Sequence, residues 1–215
     1  MSKLKAVLLD YDGTLRDSSQ LIYEALEHTF TSHGLPMPSR QQLKPLIHHH
    51  SNIHREFASH LTFEEFDAPY MRKVVELLPE VRLYEGVEKA LQRLHERGYK
   101  LALVTAANSA AEQVKKQGIG HYFDTIVSGK DIINHKPDPE GILLALKRLD
   151  VAAEDAIMVG DLPTDLQAGQ AAGLRATIGI TYGMGSREAL TASGANQVID
   201  SMDQLISAIV AIERA

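Results

Sequence analysis

The sequence predicts an α/β fold, a doubly wound Rossmann-like parallel sheet with an inserted helical domain, and three observations carry that prediction. Short apolar runs recur at Ala6 to Leu9, Leu101 to Val104, Ile126 to Val127, Ala156 to Val159, Ala176 to Ile180 and Val198 to Ile199. Most of the segments between them place apolar residues at helical spacing. The long interval between the first run and the second holds helical patterns and no convincing strand.

Runs that are apolar at successive residues suit strands buried on both faces, as in a parallel sheet with helices above and below it. Val87, Ala90, Leu91 and Leu94 repeat at helical spacing ahead of Gly98, a C-terminal stop. Asp138 followed by Pro139 reads as a helix start leading into Ile142, Leu143, Leu146 and Leu149. The alternation assigns residues 1–16 and 84–215 to the α/β core and residues 17–83 to the helical insert. The insert begins near Asp17, whose spacing to Gln20 suggests a capping box, and Leu21, Ile22, Ala25, Leu26 and Phe30 share a face that ends at Gly34. Further helices are expected from Arg40, from Asn52 and from Phe63 to about Leu78, with re-entry into the core near Leu83 to Gly86.

Composition narrows the function. The 215 residues include no cysteine, which excludes disulfides and zinc-cysteine sites. Lys and Arg number 22 against 28 Asp and Glu, a net charge of -6 that repels a nucleic-acid backbone. No stretch approaches the roughly 18 consecutive apolar residues of a membrane span. Met1-Ser2-Lys3-Leu4-Lys5 runs directly into an apolar strand where a secretory signal would carry a longer apolar region. The expectation is a soluble cytoplasmic protein, monomer or homodimer, with neither nucleic-acid nor membrane partners.

The chemistry gathers where the apolar strands end. Asp10-Tyr11-Asp12-Gly13-Thr14-Leu15 follows the first of them. Residues i and i+2 of an extended chain point the same way, so Asp10 and Asp12 would converge beyond the carboxyl edge, where open α/β sheets bind ligands. Two carboxylates in one small site are tolerable if a cation sits between them or if one is protonated. With a divalent cation, one could act as nucleophile while the other handles a proton. An Asp-x-Asp-Gly stretch also serves as a plain turn. The second strand runs into Thr105-Ala106-Ala107-Asn108-Ser109, with Ser109 at an N-cap position, either an ordinary capped turn or an anion cradle. Lys136, between His135 and Pro137, is a point charge in a loop that the prolines restrict. Gly160-Asp161-Leu162-Pro163-Thr164-Asp165 supplies a second acidic pair whose hard oxygens suit Mg²⁺, although Asp165 reads equally well as a helix cap.

These four motifs, in this order, resemble those of the haloacid dehalogenase-like (HAD) superfamily of hydrolases. The likeness is closest to the small phosphatases similar to phosphoglycolate phosphatase, and it extends over Tyr84-Glu85-Gly86-Val87 and Thr181-Tyr182-Gly183. The resemblance implies that Asp10 is the nucleophile that forms an aspartyl phosphate and that Asp12 is the general acid and base. It implies phosphate binding by Thr105, the Ala106 amide and Lys136. It also implies Mg²⁺ on the Asp10 carboxylate, the Asp12 backbone carbonyl and Asp161, with Asp165 nearby or acting through water, and a helical cap that closes over the site. The function so implied is a Mg²⁺-dependent phosphatase acting on a small phosphorylated metabolite. Two alternatives stand beside it: a phosphomutase of the β-phosphoglucomutase type, and a non-catalytic phosphate-binding regulatory protein. Dehalogenation fits less well, because dehalogenase relatives lack an equivalent of Asp12.

Two positions depart from the family pattern. Tyr11 stands where Phe is commoner and is expected to pack between strand and cap, and Leu162 stands where Ser or Thr is frequent. In the insert, His48, His49, His50, His54 and His60 crowd one stretch. They suit a polar loop and solvated helix face, a loop that offers His50 or Arg55 to the substrate, or a metal site on His50 and His54 at i, i+4 spacing. Gly183-Met184-Gly185-Ser186 lacks the third glycine and the lysine of nucleotide loops and reads as a loop before a capped helix. There is no G-x-S-x-G elbow.

Overall fold

The short apolar runs become six strands: β1 (Ala6–Leu9), β2 (Lys100–Val104), β3 (Thr125–Val127), β4 (Ala156–Gly160), β5 (Ala176–Ile180) and β6 (Gln197–Ile199). The structure is a computed structural model that describes residues 3–43, 46–47 and 50–214. His48 and His49 lie outside the described residues. All strands are parallel, in the order β3-β2-β1-β4-β5-β6.

Every residue of β1, β4 and β5 is buried, because helices cover both faces of the sheet. Side-chain alternation sorts these residues into two layers. Val7, Leu9, Leu101, Leu103, Ile157 and Val159 pack with α5 (Val87–Glu96), α6 (Ala110–Lys116) and α10 (Leu205–Arg214). Ala6, Leu8, Ala102, Val104 and Met158 pack with α7 (Glu140–Leu149) and α8 (Pro163–Ala171). A further helix, α9 (Arg187–Ala192), begins at Ser186, whose hydroxyl accepts from the Ala189 amide, so the Gly183-Met184-Gly185-Ser186 stretch is the loop before a capped helix. The strand order reverses between β1 and β4, and in such sheets the crevice beyond that switch point is where ligands bind.

By its contacts the chain divides into two units, one running up to Asp17 and resuming at Arg82, the other spanning Ser18–Val81. The second unit holds α1 (Ser19–Ser32), α2 (Arg40–Leu43), α3 (His50–Phe57) and α4 (Phe63–Leu77). Its core is formed by Leu26, Phe30, Leu43, Ile53, Ala58 and Phe66, with the Phe30 and Phe66 rings edge to face at 5.6 Å. The capping box expected at Asp17 and Gln20 does not form. Asp17 gives its amide to the Arg82 carbonyl and accepts from the Tyr84 hydroxyl, Gln20 bonds Glu24, and α1 starts after Ser18 without a side-chain cap. The box occurs at α4 instead, where Thr62 and Glu65 bond reciprocally.

Phe66 is fully buried and meets both Phe30 and the imidazole of His50. Phe66→Ala is expected to cost about 3–5 kcal/mol of helical-unit stability. Amide hydrogen exchange should report this as lost protection across α1 and α4, with β1 and β4 still protected.

Candidate active site

The ladder fixes the first acidic residue. Leu9 pairs with Leu103 on one side and Val159 on the other, and one step further Asp10 donates its amide to the Val159 carbonyl at 2.9 Å. Asp10 is thereby held at the switch point with its side chain almost wholly buried. β4 ends in the same row, and Asp161, just past it, has no exposed surface. Asp165 sits in the first turn of α8, where its Oδ2 accepts from the Leu162 amide at 3.0 Å. Carboxylate oxygens of Asp10, Asp161 and Asp165 lie within 4.8 Å of one another.

Lys136 enters from the loop between β3 and α7. Its Nζ donates to Asp10 Oδ1 and Asp165 Oδ1, each at 2.5 Å, and to the Val104 carbonyl at 3.1 Å, which uses all three ammonium protons. The loop is tied to both ends of α7. The Ile133 and Asn134 amides donate to the Glu140 carboxylate, and Arg148 donates to the Ile126 carbonyl and, at 2.6 Å, to Asp131. Arg148, with help from the Ser128 hydroxyl and amide, holds Asp131 down at about 2. The N-cap of α7 is Pro139, one residue later than the helix start expected at Asp138, and Asp138 accepts from the Glu140 amide.

Burial dominates the electrostatics of the acidic group. It pushes Asp10 up to about 7, Asp165 and Asp12 adding repulsion while Lys136 pulls the other way. Asp161 is also raised well above the ordinary carboxylate range, first by burial and then by Asp10 and Asp165, against donation from the Met184 amide and the Thr14 hydroxyl. For Lys136 burial acts downward, but Asp10 and Asp165 outweigh it and hold the ammonium charged. With all three carboxylates ionised, the single ammonium leaves the group two negative charges in excess. The donors are all hard oxygens, so a divalent cation that favours oxygen ligands fits the group in both charge and chemistry.

Asp12 does not join the three. Extended geometry, on which the expected convergence with Asp10 rested, ends at Tyr11: the Leu15 and Arg16 amides both fold back onto the Tyr11 carbonyl, and Gly13 adopts a φ of +88°. The Asp12 carboxylate instead accepts from Arg16 Nε at 2.7 Å. Tyr11, expected between strand and cap, is wholly buried in the core of the α/β unit, with its hydroxyl on Gln117 Oε1 at 2.7 Å. Thr105, one residue past β2, is buried and gives its amide to the Val127 carbonyl, while its hydroxyl accepts from the Ala107 amide. The Ala106 amide donates to no group among the described residues. Ser109 does precede α6, but its side chain makes no cap bond.

In the helical unit, the His50 ring is stacked on Tyr70 at 3.9 Å and on Phe66 at 4.9 Å, with Nδ1 2.9 Å from Asp67. Burial lowers its pKa against the pull of Asp67. His54 Nε2 bonds the Leu61 carbonyl at 2.9 Å, and Arg55 is exposed on α3. Among the described residues the three aspartates are the group able to hold a metal ion.

Several contacts of the site carried no sequence signal. Asp161 is gripped by the Thr14 hydroxyl on one oxygen and the Met184 amide on the other. Tyr182 donates to the Thr14 carbonyl at 2.8 Å. Side chains at Gly13, Gly183 or Gly185 would collide with Asp161, and the two closely spaced glycines after β5 were the one available hint.

The haloacid dehalogenase-like hydrolase profile matches residues 7–178. The chain belongs to that family. It is 33% identical over 211 residues to the pyrophosphatase PpaX of Bacillus velezensis, covering 95% of each chain. A Bacteroides fragilis protein described as a haloacid dehalogenase-like hydrolase superposes with a TM-score of 0.85 at 26% identity, covering 94% of this chain and 100% of its own. CbbY from Rhodobacter sphaeroides, solved in complex with phosphate, has a TM-score of 0.80 at 25% identity over 96% of this chain and 99% of its own. No helix among the described residues is long and apolar enough to cross a membrane.

Two predictions concern how the site is held. Asp131 is depressed in the folded state, so the stability it contributes is present above the ordinary carboxylate range and disappears as pH falls from about 4 to about 2. Because solvent screens this partly exposed pair, Asp131→Asn should cost no more than about 1 kcal/mol at pH 6. Urea midpoints of the variant and the parent should converge as the pH approaches the lower limit. Gly183→Ala would press its Cβ into Asp161 and the Gly13 carbonyl, so it should weaken divalent-cation binding by ~10–100-fold and also lower the unfolding midpoint, as titration calorimetry with Mg²⁺ and thermal unfolding would register.

Proposed function

We propose that the protein is a Mg²⁺-dependent phosphatase that hydrolyses a small phosphorylated metabolite through an aspartyl phosphate on Asp10. One observation carries the reading: Asp10 is fixed through Oδ1 by Lys136, while Oδ2 accepts from no donor among the described residues. A carboxylate anchored by one oxygen with the other unengaged is arranged as a nucleophile. The family membership, the pyrophosphatase relative and the phosphate complex of a related structure support the same reading.

In this scheme Asp10 Oδ2 forms a bond to phosphorus as the bond to the leaving oxygen breaks, with its electron pair staying on that oxygen. Asp12, whose Oδ2 is likewise unengaged, gives a proton to the leaving oxygen. It then takes one from the water that attacks the aspartyl phosphate, which releases inorganic phosphate and restores both carboxyl groups. The Thr105 hydroxyl and the Ala106 amide bind the phosphoryl oxygens, and Lys136 holds Asp10 in line while offsetting charge. Mg²⁺ on Asp10, Asp161 and the Asp12 carbonyl, with Asp165 beside it, would supply the two positive charges that the acidic group lacks. Phosphoryl transfer asks for placement and charge compensation above all, and these residues provide both.

Release of inorganic phosphate from p-nitrophenyl phosphate, from pyrophosphate and from a panel of sugar and carboxylic-acid phosphates, with and without Mg²⁺, tests the proposal. Chelation should abolish turnover, and Asp10→Asn should lower kcat by ~10³-fold or more. Full activity in Asp10→Asn would overturn the nucleophile assignment, and isomerised sugar phosphate without free phosphate would make the enzyme a mutase.

A further inference from the structure

Arg16 lies in the turn after β1 and is only 5% exposed. Its Nε donates to Asp12 Oδ1 at 2.7 Å, and its guanidinium carbon lies 4.1 Å over the centroid of the Tyr11 ring. Its Nη1, although buried, meets no acceptor among the described residues. Folding alone does not account for this arrangement. A buried donor left without an acceptor costs about 1–3 kcal/mol, and an apolar side chain of similar volume would fill the space without that cost. Nor does the turn need a cation, since backbone bonds close it: Gly13 donates to the Arg16 carbonyl, and Leu15 and Arg16 donate to the Tyr11 carbonyl. What the guanidinium adds is a fixed grip on one oxygen of Asp12.

That grip is itself anchored. The planar guanidinium rests on the Tyr11 face, and the Tyr11 ring is pinned by complete burial and by the hydroxyl bond to Gln117. The Asp12 side chain keeps 27% of its surface exposed. A carboxylate on a short side chain can rotate about two bonds, and holding Oδ1 removes most of that freedom from Oδ2.

We propose that Arg16 is a positioning residue for proton transfer: stacked on Tyr11, it holds Asp12 by Oδ1 so that Oδ2 is presented to the leaving-group oxygen. The inference rests on the phosphatase reading above and extends it to a residue outside the catalytic set. In the first step Asp10 Oδ2 bonds to phosphorus, the leaving oxygen departs with the electron pair of the broken bond, and the Asp12 proton moves to it. An alkoxide needs that proton, whereas p-nitrophenolate leaves readily without it. A misplaced Asp12 therefore penalises alkyl phosphates selectively, and the penalty falls on kcat/KM, which reports events up to departure of the leaving group.

The test is a leaving-group series, from p-nitrophenyl phosphate through phenyl phosphate to a primary alkyl phosphate, with kcat/KM measured for the parent, Arg16→Met, Arg16→Lys and Asp12→Asn. Arg16→Met keeps an unbranched apolar stem on the Tyr11 ring, and the thermal unfolding midpoint checks its folding. Its kcat/KM should fall by ~10-fold or more on the alkyl phosphate and by no more than ~3-fold on p-nitrophenyl phosphate, with Arg16→Lys in between. Combining Arg16→Met with Asp12→Asn should add no further leaving-group dependence. An equal loss across the series in either Arg16 variant, or none, overturns the positioning role while parent activity and the loss in Asp10→Asn leave the phosphatase reading standing. A parent enzyme that hydrolyses none of the series overturns that reading and this inference together.

Discussion

Three carboxylates and one ammonium, buried together at the carboxyl edge of β1 and β4, set the constraint from which the rest of the site follows. Removing a carboxylate from water is costly unless charge or hydrogen bonds compensate it. Lys136 spends its three protons on Asp10, Asp165 and a backbone carbonyl, so it offsets one charge and no more. Asp161 receives a hydroxyl and an amide in place of a cation. The upward shifts of Asp10 and Asp161 register the remaining imbalance. A group in this condition attracts either protons or a hard divalent cation, and of the two only the cation leaves the carboxylates ionised.

The backbone gives the acidic group its position by leaving out side chains. A Cβ at Gly160 would occupy the place of the Asp165 side chain, and Cβ atoms at Gly13 and Gly183 would occupy that of Asp161. Gly185 approaches the Asp161 carbonyl in the same manner. Close packing of this kind transmits position, because an acid surrounded by backbone has no alternative rotamer to relax into. The loop carrying Lys136 is fixed differently, by a charged tie at each end of α7 through Glu140 and Arg148. Strand ends set where the acids start, glycines set how near they come, and ion pairs set where the cation stands.

Much of this was legible in the sequence, because strands buried on both faces read as unbroken apolar runs and the polar residues that end them sit at the ligand-binding edge. All six strands and the placement of Asp10, Asp161 and Asp165 at that edge could be read in this way. What was illegible depends on contacts between residues far apart in the chain, or on backbone atoms that have no residue type. The Met184 amide that grips Asp161 is such an atom, and so is the Tyr182 contact with the Thr14 carbonyl. The capping box at Asp17 failed because competing long-range partners, the Arg82 carbonyl and the Tyr84 hydroxyl, engage that residue first. The Asp12 carboxylate stands outside the three-acid group for a local reason: the period-two rule holds only while the chain stays extended, and Gly13 with its left-handed φ turns the chain at once, although Asp12 remains near enough for its charge to act on Asp10.

The site thus contains two pairings of an aspartate with a cation, two residues apart in sequence at their acidic members and unlike in every other respect. Lys136 is a compact charge whose protons diverge to three acceptors, and it holds Asp10 inside a crowded acidic group without imposing a plane. Arg16 is a flat cation that lies on an aromatic face and turns a single N–H toward Asp12, leaving another unused. A nucleophile needs charge balance around it and tolerates angular latitude about its anchored oxygen. A proton carrier needs a defined direction, because a hydrogen bond weakens steeply as it bends. In the proposed scheme the ammonium answers the first requirement and the guanidinium the second, so exchanging them would preserve net charge while removing from each aspartate the property that its proposed step requires.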